Sequence, residues 1–177
     1  MTASNAPRRA QVGLLAALLA LSTGCAYRPA SKSAICSGMD CYEVGPLEKE
    51  WKSVTQKDGA AGYYNAANGG IILSYASCRD DAEATPLSSL TAHMLVGYSE
   101  RRERSSALIS FAHREALRSV IDAKLDGVPI VLDLYVFKSN GCIFDLSFVA
   151  PPASYDAGLA DFRRFVEGFQ QLPRPPA

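Results

Sequence analysis

Four dipeptides constrain this chain most: Asp58-Gly59, Asn68-Gly69, Asp126-Gly127 and Asn140-Gly141. A two-residue type I′ hairpin turn needs positive φ at both central positions, and Asn or Asp followed by Gly tolerates that. Each pair is flanked by strand-like residues. One pair would be weak evidence. Four at strand-length spacing predict antiparallel meanders.

The first meander is "EWKSVTQK", "AAGYYNAA" and "GIILSYASC". Two-residue turns would place Trp51, Ser53, Tyr64, Ala66, Ile71, Leu73 and Tyr75 on one face, the expected core face. Val54, Tyr63, Asn65, Ile72 and Ser74 would share the other, half-wet face. A helix should follow, with Thr85 as N-cap, Pro86 in the first helical position and Leu87, Leu90, Met94 and Leu95 on one stripe. Gly97 ends it. "SERRERSSALISF" then holds a charged edge and a short strand, Ser106 to Phe111.

The second meander is "LRSVIDAKL", "VPIVLDLYVF" and "CIFDLSFV". A two-residue turn at Asn140-Gly141 sets Val128, Ile130, Leu132, Leu134 and Val136 with Ile143, Asp145 and Val149. The opposite face carries Val131, Asp133, Tyr135 and Phe137 with Phe144, Leu146 and Phe148. Both faces are largely apolar, so both should be covered. A C-terminal helix capped by Ser154 or Asp156 supplies one cover. It should run to about Leu172, with Leu159, Phe162, Phe165, Val166 and Phe169 as its apolar stripe. The expected fold class is α+β: an antiparallel sheet of meanders covered by one helix from the N-terminal half and one amphipathic C-terminal helix.

The N-terminus follows other rules. Arg8 and Arg9 precede an uncharged apolar run, Val12 to Leu21. A membrane span needs roughly twenty apolar residues, so this run reads as a secretory signal peptide. It stops at "LSTGC", which resembles the lipobox of bacterial lipoproteins, where a peptidase cuts before a cysteine. Gly24 and Thr23 match that pattern, whereas Ser22 stands where Leu is commonest. The alternative is ordinary cleavage near Ala26. The resemblance implies that Cys25 carries diacylglycerol through a thioether, with further N-acylation by a chain such as palmitate. Ala26, in place of Asp, implies sorting to the outer membrane.

The expected division is therefore a signal peptide at 1–24, a lipidated tether at 25–45, one globular domain at 46–172 and a short Pro-rich tail at 173–177. The tether would span roughly 25 Å as a coil and about 70 Å stretched. Cleavage leaves 153 residues with 16 basic and 18 acidic side chains. That balance gives no reason to expect nucleic acid as a partner.

Five cysteines less Cys25 leave Cys36, Cys41, Cys78 and Cys142. An exported chain meets an oxidising compartment, so this even set should form disulfides. Three connectivities exist. Cys36–Cys41 and Cys78–Cys142 is the favoured one, because Ser37-Gly38 can make the short turn. No CxxC is present and neither histidine is near a cysteine in sequence, so no metal or cofactor is expected.

The element order, with a late meander and a final amphipathic helix, resembles the PsbP-like fold of extrinsic photosystem proteins and related bacterial lipoproteins over about residues 46–172. That resemblance implies a non-catalytic assembly or binding factor.

Candidate chemistry is sparse. Asp133 and Asp145 sit mid-strand but on opposite faces, so they form no acid/base dyad. His93 and His113 lack local partners at metal spacing. Gly97-Tyr98-Ser99 starts like a nucleophile elbow, but Arg101 replaces the second Gly. Arg101, Arg102 and Arg104 form a basic cluster that could dock an acidic partner or a phosphate-bearing lipid. The plainer meaning is a charged sheet edge that blocks pairing. Tyr63, Tyr64 and Tyr75 could form a binding platform, with Tyr63 facing away from the others; two core residues and one surface residue are expected. The leading expectation is a lipid-anchored, periplasm-facing module of the outer membrane that binds or scaffolds an envelope partner. The alternatives are an envelope hydrolase with its site hidden by sequence distance, and a structural envelope component.

Overall fold

A computed structural model describes residues 34–79 and 82–173. The signal peptide, Cys25, Asp80-Asp81 and the last prolines lie outside the described residues. Strands β1 (Ile35–Ser37) and β2 (Asp40–Glu43) form a hairpin. The first meander is β3 (Trp51–Lys57), β4 (Ala60–Asn65) and β5 (Gly70–Cys78). A 3-10 turn (Ala82–Ala84) leads to α1 (Leu87–Met94). Four long strands follow: β6 (Ser99–Phe111), β7 (Arg114–Leu125), β8 (Val128–Ser139) and β9 (Cys142–Ala150). Helix α2 (Tyr155–Glu167) and the short β10 (Gln170–Gln171) end the fold. This is the expected α+β class.

The main sheet has seven strands in the order β3-β4-β5-β9-β8-β7-β6, antiparallel throughout. The β5–β9 pair joins the two meanders. Asn140-Gly141 makes a two-residue turn, and β8 pairs with β9 in the register expected from it. Asp58 and Gly59, Asp126 and Gly127, and Asn140 and Gly141 all have positive φ, as type I′ turns demand.

The first meander corrects the sequence reading. Asn65 pairs with Gly70, so Asn68-Gly69 lies in a four-residue connection and not in a two-residue turn. That shift by two leaves the face membership of β4 and β5 unchanged. A bulge at Val54 matters more, because the register breaks between Ser53 and Thr55. One extra residue flips every position beyond it. Trp51 therefore joins Tyr63, Asn65 and Ile72, and the core face is theirs. Trp51, Asn65, Ile72 and Ser74 are buried, whereas Tyr64, Leu73 and Tyr75 are exposed. Of the three tyrosines one points inward and two outward, the reverse of expectation.

Helix α2 lies on that core face. Phe162, Phe165 and Val166 pack with Phe148, Leu146, Tyr135 and Phe137 in a dense aromatic cluster. The helix stops at Glu167, short of the expected Leu172. Gly168 caps it, and a Cβ there would come within 2.3 Å of Gly45 Cα. The chain then turns into β10, which pairs with β2. This closure also shortens the expected tether. Ile35 and Tyr42 are buried in the main core, and Tyr42 Oη bonds the Gly59 carbonyl and Ser74 Oγ, each at 2.9 Å. Residues 34–45 thus belong to the domain.

Cys36 bonds Cys41 and Cys78 bonds Cys142. Each joins directly opposed residues of paired strands. Strand β6 begins at Ser99, seven residues before the expected start. Pro86 precedes α1 and does not open it, and no side-chain cap is made. No helix among the described residues is long and apolar enough to cross a membrane.

Candidate functional site

Helix α1 covers the other sheet face only in part. Its two turns sit over β7 and β8. Met94, Leu95 and Tyr98 pack on Ile121, Ile130, Leu132 and Leu134. Among the described residues no helix covers strands β3, β4 and β5 on this side. Tyr64, Leu73 and Tyr75 remain 40%, 38% and 45% exposed, and bulge residue Val54 is 61% exposed. Gly62 makes this surface continuous, since a Cβ there would lie 2.9 Å from Thr55 Cγ2 and 3.0 Å from Leu73 Cδ2. Its absence lets the β3 and β5 side chains close over β4. Lys52 and Lys57 pair across from Tyr64 and Ala60 and give the apolar floor a charged rim. The result is an exposed apolar patch edged by charge along β3.

Beside α1 the open face drops into a groove of about 380 Å³ lined by Tyr75, Ser77, Arg79, Leu90, His93, Met94, Ile143 and Asp145. Asp145 lies between Tyr75 and Val136 in register. Its Oδ1 is buried and has no hydrogen-bond partner among the described residues. Burial pushes its pKa up to about 6. A carboxylate in this state favours a donor or cation brought by a ligand. Ser77, His93 and Asp145 share the groove, although no hydrogen bond links the three among the described residues. The register placed Asp145 on this face from sequence. That α1 would bring His93 over the same spot had no local signal.

Asp133 has the opposite fate. It is fully buried on the α2 face. Arg118 Nε donates to Oδ1 at 3.0 Å and Nη2 to Oδ2 at 2.8 Å, while Tyr155 Oη donates to Oδ2 at 2.9 Å. Burial first, and then the Asp133 charge, hold the Tyr155 phenol above its ordinary pKa, so it stays a donor. This network fastens the start of α2 to the sheet.

The basic cluster is largely compensated. Arg102 and Arg104 both pair with Asp122, and their hydrogen bonds and charges, Arg104 foremost, hold its carboxyl below the usual range. Arg101 Nη1 donates to the Leu95 carbonyl at 3.3 Å. His113 sits in the β6–β7 turn, on a separate element from His93. The one group of candidate metal ligands among the described residues is Asp40 with Cys78 and Cys142. Both sulfurs belong to a disulfide, so it offers no thiolate.

No family profile matches the chain, and no curated protein matches it by sequence. Solved structures do match. LpqN of Mycobacterium tuberculosis, described as involved in cell envelope biogenesis, aligns with a TM-score of 0.55 at 11% identity, over 76% of this chain and 84% of that one. The cyanobacterial PsbP of Synechocystis aligns with a TM-score of 0.53 at 9% identity, over 73% and 85%. A Bacteroides thetaiotaomicron protein aligns with a TM-score of 0.54 at 12% identity. The match covers 78% of this chain and only 47% of that longer one. At such identities the likeness is one of fold, and the fold is PsbP-like.

Proposed function

We propose that the chain is a lipoprotein anchored through Cys25 to the outer membrane, facing the periplasm, and that it is a non-catalytic binding module of the cell envelope. The observation that carries this reading is the uncovered face of Val54, Tyr64, Leu73 and Tyr75, which runs into the Asp145 groove. An apolar surface of this kind is retained for a partner. The lipobox-like "LSTGC" supports the anchor, and acyl chains contribute about 0.8 kcal/mol per buried methylene. An envelope protein among the solved structures of this fold is consistent with the address. Arg101, Arg102 and Arg104 serve in this reading as a secondary contact for an acidic partner.

Two variants test it together. Cys25→Ser should move the protein out of the detergent phase in phase partition. In that background the intact face should still hold the protein on the envelope fraction, and Leu73→Asp with Tyr75→Asp should release it. Unchanged detergent partition would refute the anchor; unchanged retention would refute the face.

A second reading rests on one observation, the convergence of Ser77, His93 and Asp145 in the groove. These are the residue types of an acyl-transfer hydrolase. A fluorophosphonate probe that labels wild type and spares Ser77→Ala would establish that reading. Absence of labelling would remove it.

A further inference from the structure

Among the described residues strand β6 is a free edge of the main sheet, thirteen residues long and exposed along almost all of it. An edge is a row of unpaired N–H and C=O groups, a template for another strand. Its first half is guarded. Arg101, Arg102, Glu103 and Arg104 supply charge, and the register breaks between Ser99 and Arg102 and between Glu103 and Ser105. The second half, Ser105–Phe111, carries no charge, no proline and no bulge.

The turn that ends β6 fixes which groups point outward. Ala112 and His113 have φ of 47° and 61°, and Phe111 pairs with Arg114 across them. In a two-residue hairpin the flanking pair exchanges hydrogen bonds. Alternation then turns Ile109 and Ala107 toward β7. The N–H and C=O of Ser106, Leu108 and Ser110 are left facing away from the sheet.

We propose that Ser105–Phe111 pairs antiparallel with the same segment of a second copy, about a twofold axis at Leu108. Leu108 then lies opposite the second copy's Leu108, and Ser106 opposite its Ser110. Every outward-bonding residue meets an outward-bonding residue, which gives about six backbone hydrogen bonds. A slip of one residue sets outward groups against inward ones and loses the ladder. Side chains match on both faces. On the α1 side, Leu108, 60% exposed in the single chain, covers its own copy, flanked by serines. On the α2 side, Ala107 meets Ile109 and Ser105 meets Phe111. No like charges are opposed within the segment, and the guarded halves lie outside it. The assembly is a sheet continuous across two molecules, with both open faces still free.

Charge at the axis is the test. Sedimentation equilibrium of the full chain, both disulfides formed, in a density-matched detergent should give a dimer. Leu108→Lys and Leu108→Glu should each weaken dimerisation by about tenfold or more, because each opposes like charges at the axis. Their equimolar mixture should dimerise again. Ser110→Pro should also give monomers, since it removes an outward N–H and leaves the β6–β7 ladder whole. A monomeric wild type overturns the proposal, as does a Leu108→Lys chain that dimerises like wild type. Failure of the mixture to re-associate overturns it equally.

Discussion

Asp133 and Asp145 are the same residue type on neighbouring strands, and their surroundings give them opposite roles. Asp133 has a bidentate guanidinium and a phenol. Removing one partner from such a buried pair leaves an uncompensated charge, so Arg118→Leu should cost about 3–5 kcal/mol in urea unfolding. The double change Arg118→Leu, Asp133→Leu should recover most of that loss. Asp145 has burial and, among the described residues, no partner on Oδ1. Its folded pKa, about 6, exceeds the unfolded value near ~3.9. The folded state therefore holds the proton more tightly, and this stabilisation is complete below about pH 4 and lost as pH rises through about 6. Relative to Asp145→Asn, wild type should lose on the order of 2 kcal/mol between pH 4 and 7. Unfolding curves at three pH values check it; a constant gap would contradict it. The opposed orientation of the two carboxyls was legible in the sequence, because Asn140-Gly141 pins their register. Arg118 as the partner was not. Asp126-Gly127 does align β7 with β8, but it sets Arg118 opposite Tyr135; the diagonal reach of the guanidinium to the Asp133 carboxylate has no local signal.

Turns and bulges decide how the elements meet. Three Asx-Gly pairs make the turns their chemistry implies, and the fourth sits in a longer loop. Ala112-His113 makes a left-handed turn from residues that disfavour it. Ala112→Asn with His113→Gly should therefore raise stability by about 1 kcal/mol while β6 and β7 keep their pairing. Thermal unfolding measures the gain; a loss would mean that His113 makes contacts the turn depends on. The Val54 bulge shows why strand existence is easier to read than strand facing. Nothing in "EWKSVTQK" marks an extra residue, yet that residue moves Trp51 to the other face. Gly168 is similar. Its closeness to Gly45 ends α2 early and folds residues 34–45 into the domain, a long-range constraint with no local pattern.

At the scale of the whole molecule, one sheet is covered unevenly. Among the described residues, helix α2 and the β1-β2-β10 sheet seal one face, while the short α1 covers only the β7–β8 side of the other. The sequence announced two apolar faces and two helices. It did not announce that one helix would be too short for its face. The remainder, with Tyr64, Leu73 and Tyr75 wet, is where the account places a partner. The most direct measurement is photocrosslinking in intact envelopes, with benzoylphenylalanine at Leu73, at Tyr75 and, as a control of similar or greater exposure, at Val128. Discrete adducts from 73 and 75, absent from 128 and lost on adding Tyr64→Asp, are the expected result. No adduct from the open face, or the same adducts from Val128, would contradict the account.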